Sequence, residues 1–124
     1  MATSNLTAEE VLNFDLDKYY AEKKLRKDRP WVYDIIRVLW GRPAGVALRT
    51  LDRELWDLRN PVGLPMPSAF SETIRATIYD HSSDAAGWNG NAEDDLFFKT
   101  RRGVWAVRRQ HVPGWLERHD LPKA

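Results

Sequence analysis

The sequence has 124 residues, no cysteine, six tryptophans and a formal net charge of +1 from 19 basic and 18 acidic residues. That length suits one domain with an additional arm, and it is enough to bury a core without covalent staples. The lack of cysteine excludes disulfides and thiolate metal sites, and the near-neutral balance leaves only local charge clusters as pointers to a partner.

The start, "MATSNLTAEE", has no apolar signal core, and no run approaches membrane-spanning length. A cytoplasmic protein with no membrane partner is therefore expected. Residues 7–25 read as one helix: Thr7 and Glu10 form a capping-box pattern, and Leu12, Leu16, Tyr19 and Tyr20 recur at helical spacing. Acids load its first turns, and Lys23, Lys24, Arg26 and Lys27 its end, in the order the helix dipole favours. Pro30 opens a second helix, "PWVYDIIRVLW", with Trp31, Ile35, Val38 and Leu39 as its stripe, and Gly41 and Pro43 close it.

"GVAL" at 45–48 reads as a brief edge strand. Thr50 then caps a third helix, whose Leu51, Leu55 and Leu58 point inward. The turn cluster "NPVGLPMP" separates it from a fourth helix capped by Ser68, with Phe70, Ile74 and Ile78 inward at i, i+4, i+8. A polar loop over 82–95 leads into "LFFKTRRGVWAVRR", which alternates as two strands around a turn at Gly103. In the tail, Pro113, Gly114 and Trp115 suggest a segment that turns back and packs through its tryptophan.

Three helices closed by a two-stranded hairpin is the arrangement of a winged helix, a relative of the helix-turn-helix. The expected fold is α+β: a helical arm at 1–28, a winged helix at 29–110 and a tail at 111–124. In that arrangement the last core helix enters the DNA major groove and the hairpin touches backbone or minor groove. Alternation places Leu96, Phe98, Trp105 and Val107 on the helices, and turns Lys99 and Arg101 outward with Arg102 at the turn. Cations gathered there suit phosphate contact, which releases condensed counterions. The plainer reading is a solvated strand face or a charge-protected edge.

The outer face of the fourth helix carries Ser68, Ala69, Glu72, Arg75, Ala76 and Tyr79. Small residues allow close approach to base edges, Arg75 can fork onto guanine and Glu72 can accept from an exocyclic amine. An ordinary solvent-facing helix is the alternative, since alanine is also a good helix former.

Residues 67–108 resemble the winged-helix modules found beside nuclease domains in bacterial restriction endonucleases, some of which depend on base modification. The shared features are "FSETIR", the variable polar loop, "DDLF" and "GVWAVR". They cover about a third of the chain; helices 30–59 agree only in pattern, and the arm does not enter the comparison. The resemblance implies recognition of short double-stranded DNA sites, with a methylated base in some enzymes, in a restriction or regulatory context of bacteria or phage. Carried to this chain, the readers are Ser68, Glu72, Arg75 and Tyr79, with Lys99, Arg101 and Arg102 on phosphates. Trp88 joins them as an aromatic face for a methyl group or an unstacked base; its plainer role is a plug under its own loop. The best-known members carry a separate nuclease domain, for which this sequence has no room.

No catalytic set, metal site or cofactor motif survives inspection, and the chain is not expected to be an enzyme. Asp94, Asp95 and Lys99 resemble in outline the carboxylate–lysine arrangement of one nuclease class, but residue 97 is Phe where an acid is required. His81, His111 and His119 are scattered, "GWNGN" lacks the Lys-Ser/Thr of a phosphate loop, and Ser82 and Ser83 have no triad spacing. The competing function is a protein-interaction module. On that reading the tyrosine-bearing segment 7–25 dimerises or docks a separately encoded nuclease, and the acids Asp84, Glu93, Asp94 and Asp95 repel phosphate. The position of those acids relative to the hairpin tip separates the two readings.

Overall fold

The computed structural model describes residues 7–23, 29–63 and 68–119. Thr7 opens α1 (Ala8–Asn13) through the expected capping box, its hydroxyl accepting from the Glu10 N–H while the Glu10 carboxylate accepts from the Thr7 N–H. The expected single helix over 7–25 is in fact two. The Asp15 carboxylate accepts from the Lys18 N–H at 3.0 Å and starts α2 (Leu16–Lys23) afresh. Between them Phe14 turns inward, its ring 5.6 Å from those of Trp40 and Tyr19. The expected basic end at Lys24, Arg26 and Lys27 lies outside the described residues.

The tyrosine pair faces inward too. Tyr20 is buried, and its hydroxyl donates to the Tyr33 carbonyl at 2.9 Å. Desolvation, then the nearby Asp34 carboxylate, hold the Tyr20 phenol far above its ordinary pKa, so it stays a donor. Leu16 and Tyr20 belong to the main core, so the described part of the arm packs continuously with the domain.

That core centres on α3 (Trp31–Trp40). Val32, Tyr33, Asp34, Ile35, Ile36 and Leu39 are buried and Trp31, Val38 and Trp40 half-buried, so that Arg37 alone of its ten residues is exposed and burial goes almost all round the helix instead of forming one stripe. Against it pack Leu51 and Leu55 of α4 (Leu48–Arg59) and Ile74 and Ile78 of α5 (Phe70–Asp80), all fully buried. Burying each such side chain is worth about 1.5–3 kcal/mol. Polar chemistry fixes the angle between α3 and α4. Asp34, 1% exposed, receives Arg59 Nη1 at 2.6 Å and Arg29 Nε at 2.9 Å. Arg59 also donates to the Arg29 carbonyl and lies over the Trp31 ring at 4.2 Å.

The strands β1 (Val46–Ala47), β2 (Phe97–Arg101) and β3 (Val104–Val107) form an antiparallel sheet in the order β1-β3-β2. The chain is thus α+β, with six α-helices among the described residues. Thr50 does not cap α4. The helix starts three residues earlier, after Ala47, and no side chain caps it; the Leu48 N–H donates instead to the Gly103 carbonyl at 2.9 Å. Ser68 likewise stands outside α5, whose cap position is Ala69 with no side-chain bond. In the tail, α6 (Val112–Arg118) buries Trp115, whose ring lies 5.6 Å from Tyr33 and stacks on His119 at 4.2 Å. No described helix is long and apolar enough to cross a membrane.

Replacing Asp34 by Ala strands the Arg59 guanidinium in the core. Urea unfolding of Asp34→Ala should show a loss of about 3–5 kcal/mol; a loss below about 1 kcal/mol, the range of exposed pairs, would contradict the structural role given to this pair.

Candidate nucleic-acid interface

The hairpin register sets which side chains share a face, because cross-strand partners point the same way. Phe97 pairs with Val107, Phe98 with Ala106 and Lys99 with Trp105; the next pair is Arg101 with Val104, leaving Thr100 as a bulge. Phe97, not Phe98, therefore enters the core with Trp105 and Val107, and Phe97 is fully buried while Phe98 is partly exposed. The extra residue reverses the alternation, so Lys99 and Arg101 lie on opposite faces instead of sharing the outer one. Lys99 sits on the helix-facing side beyond the cover of the core, and Arg102 occupies the turn beside Gly103, whose φ of 74° suits glycine.

On that helix-facing side lies a cleft of about 460 Å³ lined by Leu48, Tyr79, Lys99, Arg102, Gly103 and Trp105, with Asp84, Ala85 and Ala86 opposite. Tyr79 is 43% exposed and its ring stands 5.8 Å from that of Trp105. On α5, Glu72 and Ala76 are also exposed, as are Ser68 and Ala69 just before it. Arg75 departs from its expected outward role. Its Nη1 is 3.2 Å from both Asp52 oxygens and 2.9 Å from the Ser71 carbonyl, which ties α5 to α4. Trp88 is half-buried over its own loop, its ring so close to Gly90 that an added Cβ would stand 2.5 Å from it.

The charge pattern is informative because most basic groups are engaged. Lys18, Arg29, Arg37, Arg42, Arg59, Arg75, Arg108 and Arg118 hold carboxylates, while Lys23 and Arg109 lie over aromatic rings. Among the described residues, the basic side chains left without such a partner are Arg49, Arg53, Lys99, Arg101 and Arg102, all exposed. Arg49 and Arg53 stand one turn apart on α4. The β1–β3 pairing and the Leu48–Gly103 bond bring the start of that helix to the hairpin turn. Sequence reading passed over Arg49 and Arg53, although both fall on the polar side of the Leu51–Leu55 periodicity.

The four loop acids divide. Glu93 and Asp94 face α6, within 3.8 Å of Arg118 and 3.9 Å of His119. Asp95 accepts from the Ser83 N–H and hydroxyl and lies 3.2 Å from Arg108 Nε, at the base of the hairpin. Asp84 alone reaches the cleft wall, accepting from the Lys99 N–H at 2.9 Å and lying 3.7 Å from Arg108. Ser82 ties this loop to the strand: its buried hydroxyl donates to the Phe97 carbonyl at 2.7 Å and accepts from the Asp84 N–H at 3.1 Å. A hydroxyl with those two partners is a tether. His81 donates from Nδ1 to the Thr77 carbonyl at 2.7 Å and packs edge-on to Phe97 and Trp115. Among the described residues no three His, Asp or Glu side chains gather as a metal site would need.

The chain matches no protein-family model, no curated protein and no solved structure.

Ser82→Ala bares a buried carbonyl and the Asp84 N–H together. It should lower the unfolding free energy by about 1–3 kcal/mol, read by urea denaturation; an unchanged midpoint would mean that the loop is held by Asp95 and Arg108 alone.

Proposed function

We propose that this chain is a winged-helix protein that binds double-stranded DNA. The element order α3-β1-α4-α5-β2-β3 and the sheet order β1-β3-β2 support the fold reading. The observation that carries the function is the gathering of the partnerless cations: Arg49, Arg53, Lys99, Arg101 and Arg102, separated in sequence by up to half the chain, all stand on α4 and the hairpin. Cations at the start of α4 and on both faces of the hairpin around its turn meet a duplex through its phosphates, with affinity that falls as salt rises.

On this reading α5 approaches the bases with Ser68, Glu72 and Tyr79 exposed and two alanines permitting close contact. Arg75 contributes a base contact only through the part of its guanidinium not held by Asp52. Tyr79, beside Trp105 in the cleft, is the aromatic face suited to a base methyl group, whereas Trp88 rests on its own loop. Three of the four loop acids sit at the hairpin base or against α6, which favours DNA over a protein partner at the tip. The inward-facing Tyr19 and Tyr20 weigh against the segment 7–25 as a dimer or nuclease-docking surface. A role in restriction or regulation follows as the setting in which such a reader would act.

Fluorescence anisotropy with randomised short duplexes, unmodified and methylated on adenine or cytosine, at several salt concentrations tests the reading. Salt-dependent binding is expected, and Arg101→Gln with Arg102→Gln should weaken all pools alike and reduce the log–log salt slope by about 2. Tighter binding of one methylated pool that is lost in Tyr79→Ala would assign the methyl contact. No binding to any pool at low salt would overturn the proposal.

A further inference from the structure

Phe98 points to the opposite face of β2 from Lys99, and there it lines a second cleft, of about 470 Å³. Val11 of α1 and Pro43 of the α3–β1 turn extend the apolar wall, and Arg108, Arg109 and Gln110 follow directly from the end of β3. The described lining contains no carboxylate. The two arginines differ in what neutralises them. Arg108 lies 3.2 Å from Asp95 and 3.7 Å from Asp84. Among the described residues Arg109 has no ion-pair partner: its guanidinium carbon stands 4.7 Å from the centre of the Trp40 ring, and its Nε is buried with no hydrogen-bond acceptor there.

A buried guanidinium N–H without an acceptor is unfavourable, and such groups in folded proteins generally have a partner. Stacking on an indole also fixes the plane of the guanidinium, which prepares its edge for an anionic acceptor. The volume falls in the range of clefts that hold small organic molecules, and the lining divides into an apolar half, Val11, Pro43, Phe98 and Val107, and a polar half, Arg108, Arg109, Gln110 and His111.

We infer that this cleft binds a small organic anion. A carboxylate, phosphate or sulfonate group meets Arg109, and an apolar body, best a flat ring system, lies against Val11, Pro43 and Phe98. The site is independent of the DNA reading, because none of the cations assigned to phosphates lines it, although Arg101 shares the face of β2 that carries Phe98.

The test is a fluorescence titration of the full chain with 1-anilinonaphthalene-8-sulfonate, an apolar ring system bearing one sulfonate, followed by displacement with phenyl phosphate and with benzoate. Saturable binding by the folded protein is expected, with displacement by one or both competitors; which of them displaces identifies the preferred anion. Arg109→Gln should weaken binding about tenfold, the loss of one charge-assisted contact. Gln110→Asp, at an exposed position on the rim, places a carboxylate beside the arginine and should weaken binding without disturbing the core. The pair Arg101→Gln and Arg102→Gln should leave it unchanged. Absence of saturable binding, equal affinity in all variants, or an equal loss in the hairpin-tip pair would overturn the inference. Binding that grows only as the near-ultraviolet circular dichroism disappears would overturn it as well, since it reports unfolded chain.

Discussion

Two residue pairs, Val46 with Trp105 and Ala47 with Val104, hold the proposed DNA-facing surface together. They make β3 the centre of the sheet and set the first residue of α4 against the hairpin turn, where the Leu48 N–H meets the Gly103 carbonyl. Without that short ladder, Arg49 and Arg53 on one helix and Lys99, Arg101 and Arg102 on the hairpin would be separate patches. With it the helix that carries Arg49 and Arg53 starts at the hairpin turn, beside the Tyr79–Trp105 cleft that Leu48, Lys99 and Arg102 line. The tight approach at Gly45, where an added Cβ would meet Val104 and the Trp105 carbonyl, comes from the same pairing.

The near-zero net charge conceals this concentration. Opposite charges cancel elsewhere in the fold: Asp34 with Arg59 and Arg29 inside the core, Asp52 with Arg75 between helices, Glu54 with Arg42 in a two-pronged pair, and Asp95 with Arg108 at the hairpin base. The pairs differ in strength. Asp34 and Arg59 are buried, and breaking them leaves an uncompensated charge in the core. The half-exposed pairs contribute little to stability; their effect is to settle where acids stand, and so which cations remain available to a polyanion.

Much of the architecture was legible in the sequence because its signals are local. The Thr7–Glu10 capping box, the Ile74–Ile78 spacing and the glycine at the hairpin turn each act over a few residues, and each appears in the structure. Asp15 is equally local: among acids that suit the dipole of one long helix it is also a strong helix cap, and it divides the arm. The start of α4 was misread for a different reason. Its first N–H is satisfied by a carbonyl from the hairpin, so no capping side chain is needed at Thr50 or anywhere nearby. Adjacent phenylalanines at 97 and 98 give no alternation from which to choose the inward face, and the bulge at Thr100 depends on the partner strand. The site suffered most from such tertiary effects. The expected base reader Arg75 is drawn to Asp52, a partner 23 residues away, while Arg49 and Arg53 gain their place only through the sheet.

The central claim is that the start of α4, the exposed side of α5 and the hairpin tip act as a single DNA-facing surface. An amide chemical-shift titration of the isotopically labelled chain with a short duplex tests it most directly. The account predicts that perturbations gather at Leu48–Arg53, along Ser68–Tyr79 and at Lys99–Gly103, leaving α1, α2 and α6 nearly still. The largest shifts on the α1–α2 or α6 side, or shifts confined to the hairpin with α4 and α5 unchanged, would contradict it.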